Sequence, residues 1–371
     1  MSVSLLQHHA DAEALLKPPR LGRWIRDWSG DGEYRRARRI LLAVTLLAAM
    51  LAFVLAVGNR FSGGPLFIYV PEVTLIPPLN HAAWEHDFSV HQQSPLFALC
   101  GGYQVSGMES LTVFKVMYWW EWLRVGSLIV LGVGLALLLA LTVRDAMRAD
   151  GTAAFRVLVA AAAVLVLYVG LRVLSDHAGL FASINIGQHR HAVDVTFASL
   201  ALAVLMVECL RPGMLSMRWS TSVLWAIAIL ADIAFGALVQ ATDAGAVWKT
   251  LPGYGDGLLP DADRLFAFHP LWRNLTENVY LIQAVHRVLS AALWAAALVL
   301  WLSRWWRGLS MGREALLFAL LTVAGALGAA TLLSDFSVIV SIAHQFCGVL
   351  VLAAALLRQS PIIAPGSFKA E

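Results

Sequence analysis

The chain has 371 residues, of which 59% are hydrophobic and only 14% charged, with a formal net charge of +3. At a mean hydropathy of +0.70 it carries more apolar side chain than one soluble core can bury, which excludes an ordinary soluble enzyme. The small basic excess, without interleaved basic and aromatic residues, argues against a nucleic-acid partner.

In chain order, the first 38 residues form a polar tail ending in Arg35, Arg36, Arg38 and Arg39. The tail lacks the apolar core of a cleavable signal, so the first helix itself is expected to direct insertion. Apolar runs of about the 20 residues needed to cross a bilayer follow at 39–57, 124–143, 154–173, 192–209, 220–241, 279–303, 314–333 and 335–357. The expected fold is an all-α polytopic membrane protein with eight transmembrane helices. Arg144, Arg148, Arg211, Arg218, Arg304, Arg307 and Arg313 fall in the loops after spans two, four and six. An excess of basic residues marks inner loops, so both termini, including Arg358 and Lys369, are expected on the cytoplasmic side. The tail's basic residues are read as setting orientation rather than as binding anionic lipid. Without an Arg- and Ser-rich transit segment, a bacterial inner membrane is expected rather than a mitochondrial one.

The spans divide into two halves, 39–211 and 219–358, between cytoplasmic tails 1–38 and 359–371, and the punctuation of one half repeats in the other. The first span gives way to Gly58, Asn59-Arg60, Gly63-Gly64 and Ile76-Pro77-Pro78, and the fifth runs from Gly236, near its end, through Asp243-Ala244-Gly245 to Leu259-Pro260. Aromatic outer segments come next. The long outer loops, 58–117 and 242–278, are expected to shield a cofactor edge. Each leads to a polar residue three before a cation or histidine: Glu121 before Arg124, and Gln283 before His286-Arg287. That spacing puts each pair on one helix face.

His286 and His344 both lie about two turns inside their spans from the outer side. At a rise of ~1.5 Å per residue they can share one layer. A histidine in a membrane span needs a partner, whether a ligand, a proton relay or a hydrogen bond. Two facing each other point to haem iron; the plainer reading is a pair of core histidines bonded to backbone or to one another. The matching positions of the first half hold Arg124 and Asp194, expected to form an ion pair. Arg287 is expected to contact a haem propionate or to snorkel outward. Cys209 and Cys347 lie in or at the ends of helices and Cys100 is alone in an outer loop, so no loop disulfide is expected. His81, His86, His91, His177, His189, His191 and His269 are read as inert exposed histidines, His8 and His9 as tail residues, and Trp119-Trp120-Trp122 as an interfacial belt.

Trp84–Pro95, Gly107-Met108, Phe114-Lys115 and Tyr118-Trp119-Trp120-Glu121-Trp122 resemble the first outer loop and second helix of the heme A synthases. Arg273-Asn274, Glu277-Asn278, Gln283–Arg287, Gly236–Val239, Asp243–Gly245 and Ala343-His344-Gln345 resemble the second half of that family. The resemblance implies two pseudo-symmetric four-helix bundles, each with a histidine pair. It implies haem b held through its iron by His286 and His344, and heme O as substrate in the N-terminal half, where the C8 methyl is oxidised to a formyl group. Glu121 matches the glutamate given a direct catalytic part there, as a general base or a stabiliser of positive charge; its plainer reading is a carboxylate held by Arg124. The implied partners are membrane lipid, heme O synthase, cytochrome oxidase assembly factors and an unidentified electron donor. The sequence departs from the family at the substrate site, where Arg124 and Asp194 replace the expected histidines and Val125 replaces an arginine. Neither Arg nor Asp is a usual axial haem ligand. The alternative is a non-catalytic haem b-binding assembly or electron-transfer protein.

Overall fold

A computed structural model describes residues 32–58, 73–93, 111–149, 151–176, 186–210, 221–255, 257, 259–310 and 312–357. Arg60, Pro95, Cys100, Met108, His177, Arg211, Arg218, Arg358, Lys369 and the tail with His8 and His9 lie outside the described residues. Among the described residues seven helices are long and apolar enough to cross a membrane. They are α1 (Gly32–Gly58), α3 (Leu111–Ala149), α5 (Ile186–Leu210), α6 (Thr221–Ala241), α7 (Val279–Trp306), α8 (Gly312–Leu333) and α9 (Val338–Leu357). A short α2 (His81–Gln92) precedes α3, and α4 (Gly151–Asp176) follows it, with a described apolar stretch at Ala161–Leu171. The protein is an all-α membrane protein.

Helices α1, α3, α4 and α5 pack in sequence, with α5 returning against α1; α6, α7, α8 and α9 do the same, with α9 returning against α6. The two sets meet where α5 packs on α6 and α9 and where α1 touches α9. Leu202 of α5 and Val349, Leu352 and Ala355 of α9 are fully buried there. Small residues such as Ala203, Ala353 and Ala354 let these backbones approach closely, which helix packing in lipid depends on. Large side chains such as Leu47, Val166 and Ile339 point outward, as lipid-facing positions should. At one end, Tyr34 of α1 donates to Asp145 of α3 at 2.9 Å and Arg38 pairs with Glu208 of α5 at 2.9 Å. The start of α1 and the ends of α3 and α5 therefore share a face of the bundle.

Several helices start away from the expected span bounds, and two of these differences have a visible cause. Helix α3 begins at Leu111, well before 124, because its aromatic first turns are stabilised by contact with α2 rather than by apolar composition. Tyr118 is fully buried, with its ring 5.0 Å from Trp84. Helix α9 begins at Val338 rather than 335, since Asp335 and Phe336 adopt positive φ of 54° and 65° and turn the chain first.

Helix α2 is capped by Asn80, whose Oδ1 accepts from the Ala83 amide at 2.9 Å. His91, expected to be exposed, is instead buried with its ring 4.9 Å from Phe114; it occupies the inward face of α2 with Trp84. Burial pushes its pKa down to about 4 from 6.5. The unfolded chain then binds a proton that the folded chain refuses, so this contribution to stability is complete above 6.5 and falls away toward about 4. In detergent, His91→Phe should flatten the loss of thermal stability on acidification through this window. A slope identical to wild type would show that another group is responsible.

Candidate functional site

The site is built on α7 and α9, and what orders α7 is its first residue pair in the outer loop. Asn278 caps α7, its Oδ1 accepting from the amides of Tyr280 at 3.0 Å and Leu281 at 3.4 Å. Its Nδ2 donates to the carbonyls of Arg264 and Leu265 and to Asn274 Oδ1, at 2.8, 3.1 and 2.9 Å. Asn274 in turn bonds both backbone groups of Phe268. Two buried asparagines thus fasten the outer loop to the head of α7. Asn278→Ala removes a cap, typically ~1 kcal/mol, and strands buried carbonyls at ~1–3 kcal/mol. We expect a lower melting temperature, equivalent to roughly 2–4 kcal/mol; a change within error in a thermal-shift assay would refute the cap's importance.

Gln283 and Arg287 continue the fastening. Gln283 Nε2 donates to the carbonyls of Gly245 at 3.2 Å and Trp248 at 3.0 Å. The Arg287 guanidinium donates to the carbonyls of Trp248 (2.6 Å), Thr250 (3.1 Å) and Gly253 (3.0 Å) and lies over the Tyr254 ring. Whatever it does toward a cofactor, the Arg287 guanidinium grips this loop through three converging carbonyls.

Between the helices, the rings of His286 and His344 lie 6.3 Å apart, centre to centre, at 72°. His344 Nδ1 is 2.9 Å from the Ala324 carbonyl of α8. A carbonyl only accepts, so Nδ1 carries the proton and Nε2 keeps its lone pair. His286 Nδ1 lies 2.8 Å from Asp232 Oδ1 of α6, a short contact whose direction is poorly aligned for a hydrogen bond. Asp232 also accepts from Ser290, one turn along α7, at 2.9 and 3.0 Å.

A glycine seats each ring. A Cβ at Gly236 of α6 would lie 3.1 Å from His286 Cε1, and one at Gly328 of α8 would lie 3.0 Å from His344 Cε1. Each glycine stands four residues beyond the group that holds the same ring, Asp232 for His286 and Ala324 for His344, so each helix offers a holder and a notch on one face. Two imidazole nitrogens each ~2 Å from one metal, with ring centres ~1 Å behind them, put the centres about 6 Å apart. The separation and the notches fit a haem held between the two rings.

The N-terminal half differs. Arg124 binds both carboxylate oxygens of Glu121, with Nε 2.6 Å from Oε2. The direct Arg124–Asp194 pair expected from the sequence is not formed: Glu121, one turn away on α3, takes the guanidinium first. Asp194 remains within electrostatic reach of Arg124 and accepts from the Tyr168 hydroxyl at 3.3 Å. These groups do not fit axial haem ligation. His189 and His191, expected to be exposed, are buried at the start of α5, and His191 Nε2 is 3.2 Å from Gln240 Oε1, which also accepts from Gln345 at 3.1 Å. Trp120 and Trp122 use their indole N–H groups on the carbonyls of Leu55 and Leu75.

Sequence reasoning missed Asp232 and Ser290. The signal was present, since Asp232 is the one acidic residue within the apolar α6, and an intramembrane carboxylate calls for a partner.

Fold and site together define a multi-pass α-helical membrane protein with a half-buried pair of facing imidazoles. The chain belongs to the heme A synthase (COX15-CtaA) family, whose model, described as cytochrome oxidase assembly protein, matches residues 71–356. The heme A synthase of Rhodopseudomonas palustris strain BisB5 is 30% identical over 353 residues, covering 91% of this chain and 94% of its own length. That of Azorhizobium caulinodans is 31% identical over 347 residues (88% and 95%), and that of Brucella ovis 29% over 347 residues (88% and 91%). The family is one of heme A biosynthesis and cytochrome oxidase assembly.

Proposed function

We propose that this chain is a membrane oxidoreductase of the heme A synthase type that binds haem b between His286 and His344. The observation that carries the proposal is the half-buried histidine pair at 6.3 Å, each ring notched by a glycine. When bound there, haem b supplies one-electron transfer. His286 and His344 would hold it through their ring nitrogens, Ala324 fixes the tautomer of His344, and Arg287 with Gln283 holds the adjoining loop. The substrate in this reading is heme O, whose C8 methyl would be oxidised through successive hydroxylations to a formyl group in the N-terminal half that holds Glu121, a four-electron oxidation overall. An unidentified redox partner would exchange the electrons, with heme O synthase and oxidase assembly factors as neighbours in the same biogenesis.

In the same reading α4 also crosses the bilayer, giving eight spans as two pseudo-symmetric bundles, 39–211 and 219–358. The matching rings of helix packing support this arrangement. Both termini lie on the cytoplasmic side of a bacterial inner membrane, consistent with the bacterial relatives.

A second reading has its own support, the capture of Glu121 by Arg124. It is a one-haem assembly or electron-transfer protein whose N-terminal site is closed by Arg124, Glu121 and Asp194. Haem extraction from protein expressed with and without a heme O source separates the two. Heme A or its hydroxylated precursor supports the synthase. One haem b per chain, with heme O present and unconverted, supports the closed site.

A further inference from the structure

Helices α6 and α7 face each other through two pairs of residues spaced four apart, Asp232 with Gly236 and His286 with Ser290. The absent side chain at Gly236 lets α7 come close enough for Asp232 Oδ1 to reach His286 Nδ1 at 2.8 Å. Ser290 then donates to the same carboxylate at 2.9 and 3.0 Å, holding it against the ring. His344 receives different treatment, because its Nδ1 meets a neutral backbone carbonyl, that of Ala324 at 2.9 Å. The two rings of the pair thus differ in what stands behind them, a carboxylate on one side and an amide dipole on the other.

We propose that Asp232 is the positioning residue for His286: it turns the ring so that Nε2 faces His344, and its charge makes His286 the stronger electron donor of the two axial positions. This rests on the haem reading above. The contact is not aligned as a hydrogen bond, but a carboxylate charge this close behind an imidazole raises the basicity of the ligating nitrogen. Greater donation stabilises ferric over ferrous iron and lowers the reduction potential of the group held there, axial ligand character being one of the protein's levers on that potential. Ser290 moderates the effect by drawing on the carboxylate's electron density. The sign of each change follows. Removing the charge at 232 raises the potential, and removing the donor at 290 lowers it.

The test uses purified holoprotein in detergent, with haem per chain from the pyridine haemochromogen, midpoint potential from redox titration and ligand-field signature from low-temperature electron paramagnetic resonance. Asp232→Asn is expected to keep its haem and shift the midpoint potential positive with altered low-spin g values. Ser290→Ala is expected to shift it negative, and Asp232→Glu to restore part of the wild-type potential. A merely structural role for Asp232 does not produce shifts of opposite sign at 232 and 290. If Asp232→Asn does not accumulate, Ser290→Ala decides. Unchanged potential and spectrum in whichever of these variants fold, while His286→Ala abolishes the low-spin signal, would overturn the role of Asp232 alone. Low-spin haem retained in His286→Ala would overturn the ligation on which it rests.

Discussion

His286→Ala and His344→Ala should each purify as a folded membrane protein that has lost its low-spin haem b, with pigment falling from one per chain toward none. The loss is expected to be nearly complete because, in the haem reading, each ring would supply one of the two protein bonds to the iron. Among the described residues no cluster of three or more His, Cys, Asp or Glu side chains is placed to hold a metal. The fold should survive better than the cofactor. His344 is held by the Ala324 carbonyl and its ring sits against Gly328. His286→Ala has a further consequence, since it leaves Asp232 with Ser290 as its remaining partner. Of the two alanine variants it should therefore be the less stable, by an amount on the order of the ~1–3 kcal/mol for stranding a buried polar group. Pyridine haemochromogen on both variants, alongside size-exclusion profiles, checks the point; low-spin haem retained in both removes the assignment of this pair as axial ligands.

How much of this was legible in the sequence depended on the kind of interaction involved. Spans showed themselves because each needs a long apolar run, and the bundle's order followed from them. The first turns of α3 were hidden, since Tyr118, Trp119, Trp120 and Trp122 are held by packing on α2 and by bonds to the carbonyls of Leu55 and Leu75, contacts that leave no periodic trace. His286 and His344 stood out as intramembrane histidines. Asp232 should have stood out by the same argument. Its partner lies 54 positions further along the chain, however, and nothing in local spacing joins the two. Arg287 shows what spacing cannot carry: its bonds to loop carbonyls depend on a convergence that only the folded loop creates. The exchange of partners at Arg124 has a simple cause. Glu121 is one helical turn away and always available, while Asp194 must be delivered by another helix.

That exchange yields the second large effect, a double-mutant cycle on the N-terminal half. Glu121 is buried and both its oxygens are taken by Arg124. Removing Arg124 alone leaves a carboxylate in an apolar bundle, and breaking a buried pair from one side typically costs ~3–5 kcal/mol. Replacing both partners by apolar groups of similar size is often neutral by the same physics. Arg124→Met should therefore be strongly destabilising, Glu121→Leu comparably so because the guanidinium then has only the more distant Asp194, and the double variant close to wild type. With two single losses of that size and a near-neutral double variant, the interaction energy in the cycle is the sum of the two losses, ~6 kcal/mol or more. Stability is read from thermal or denaturant unfolding in one detergent. Additive losses would mean that the pair contributes nothing as a unit and that Glu121 is free to act elsewhere. Strong coupling would mean that any chemistry by Glu121 must first displace Arg124, so an anionic group of the substrate entering this half would have to compete for that guanidinium. A coupled pair with heme A formation intact would make Arg124 a gate on Glu121, and a coupled pair without conversion would make the two a plug.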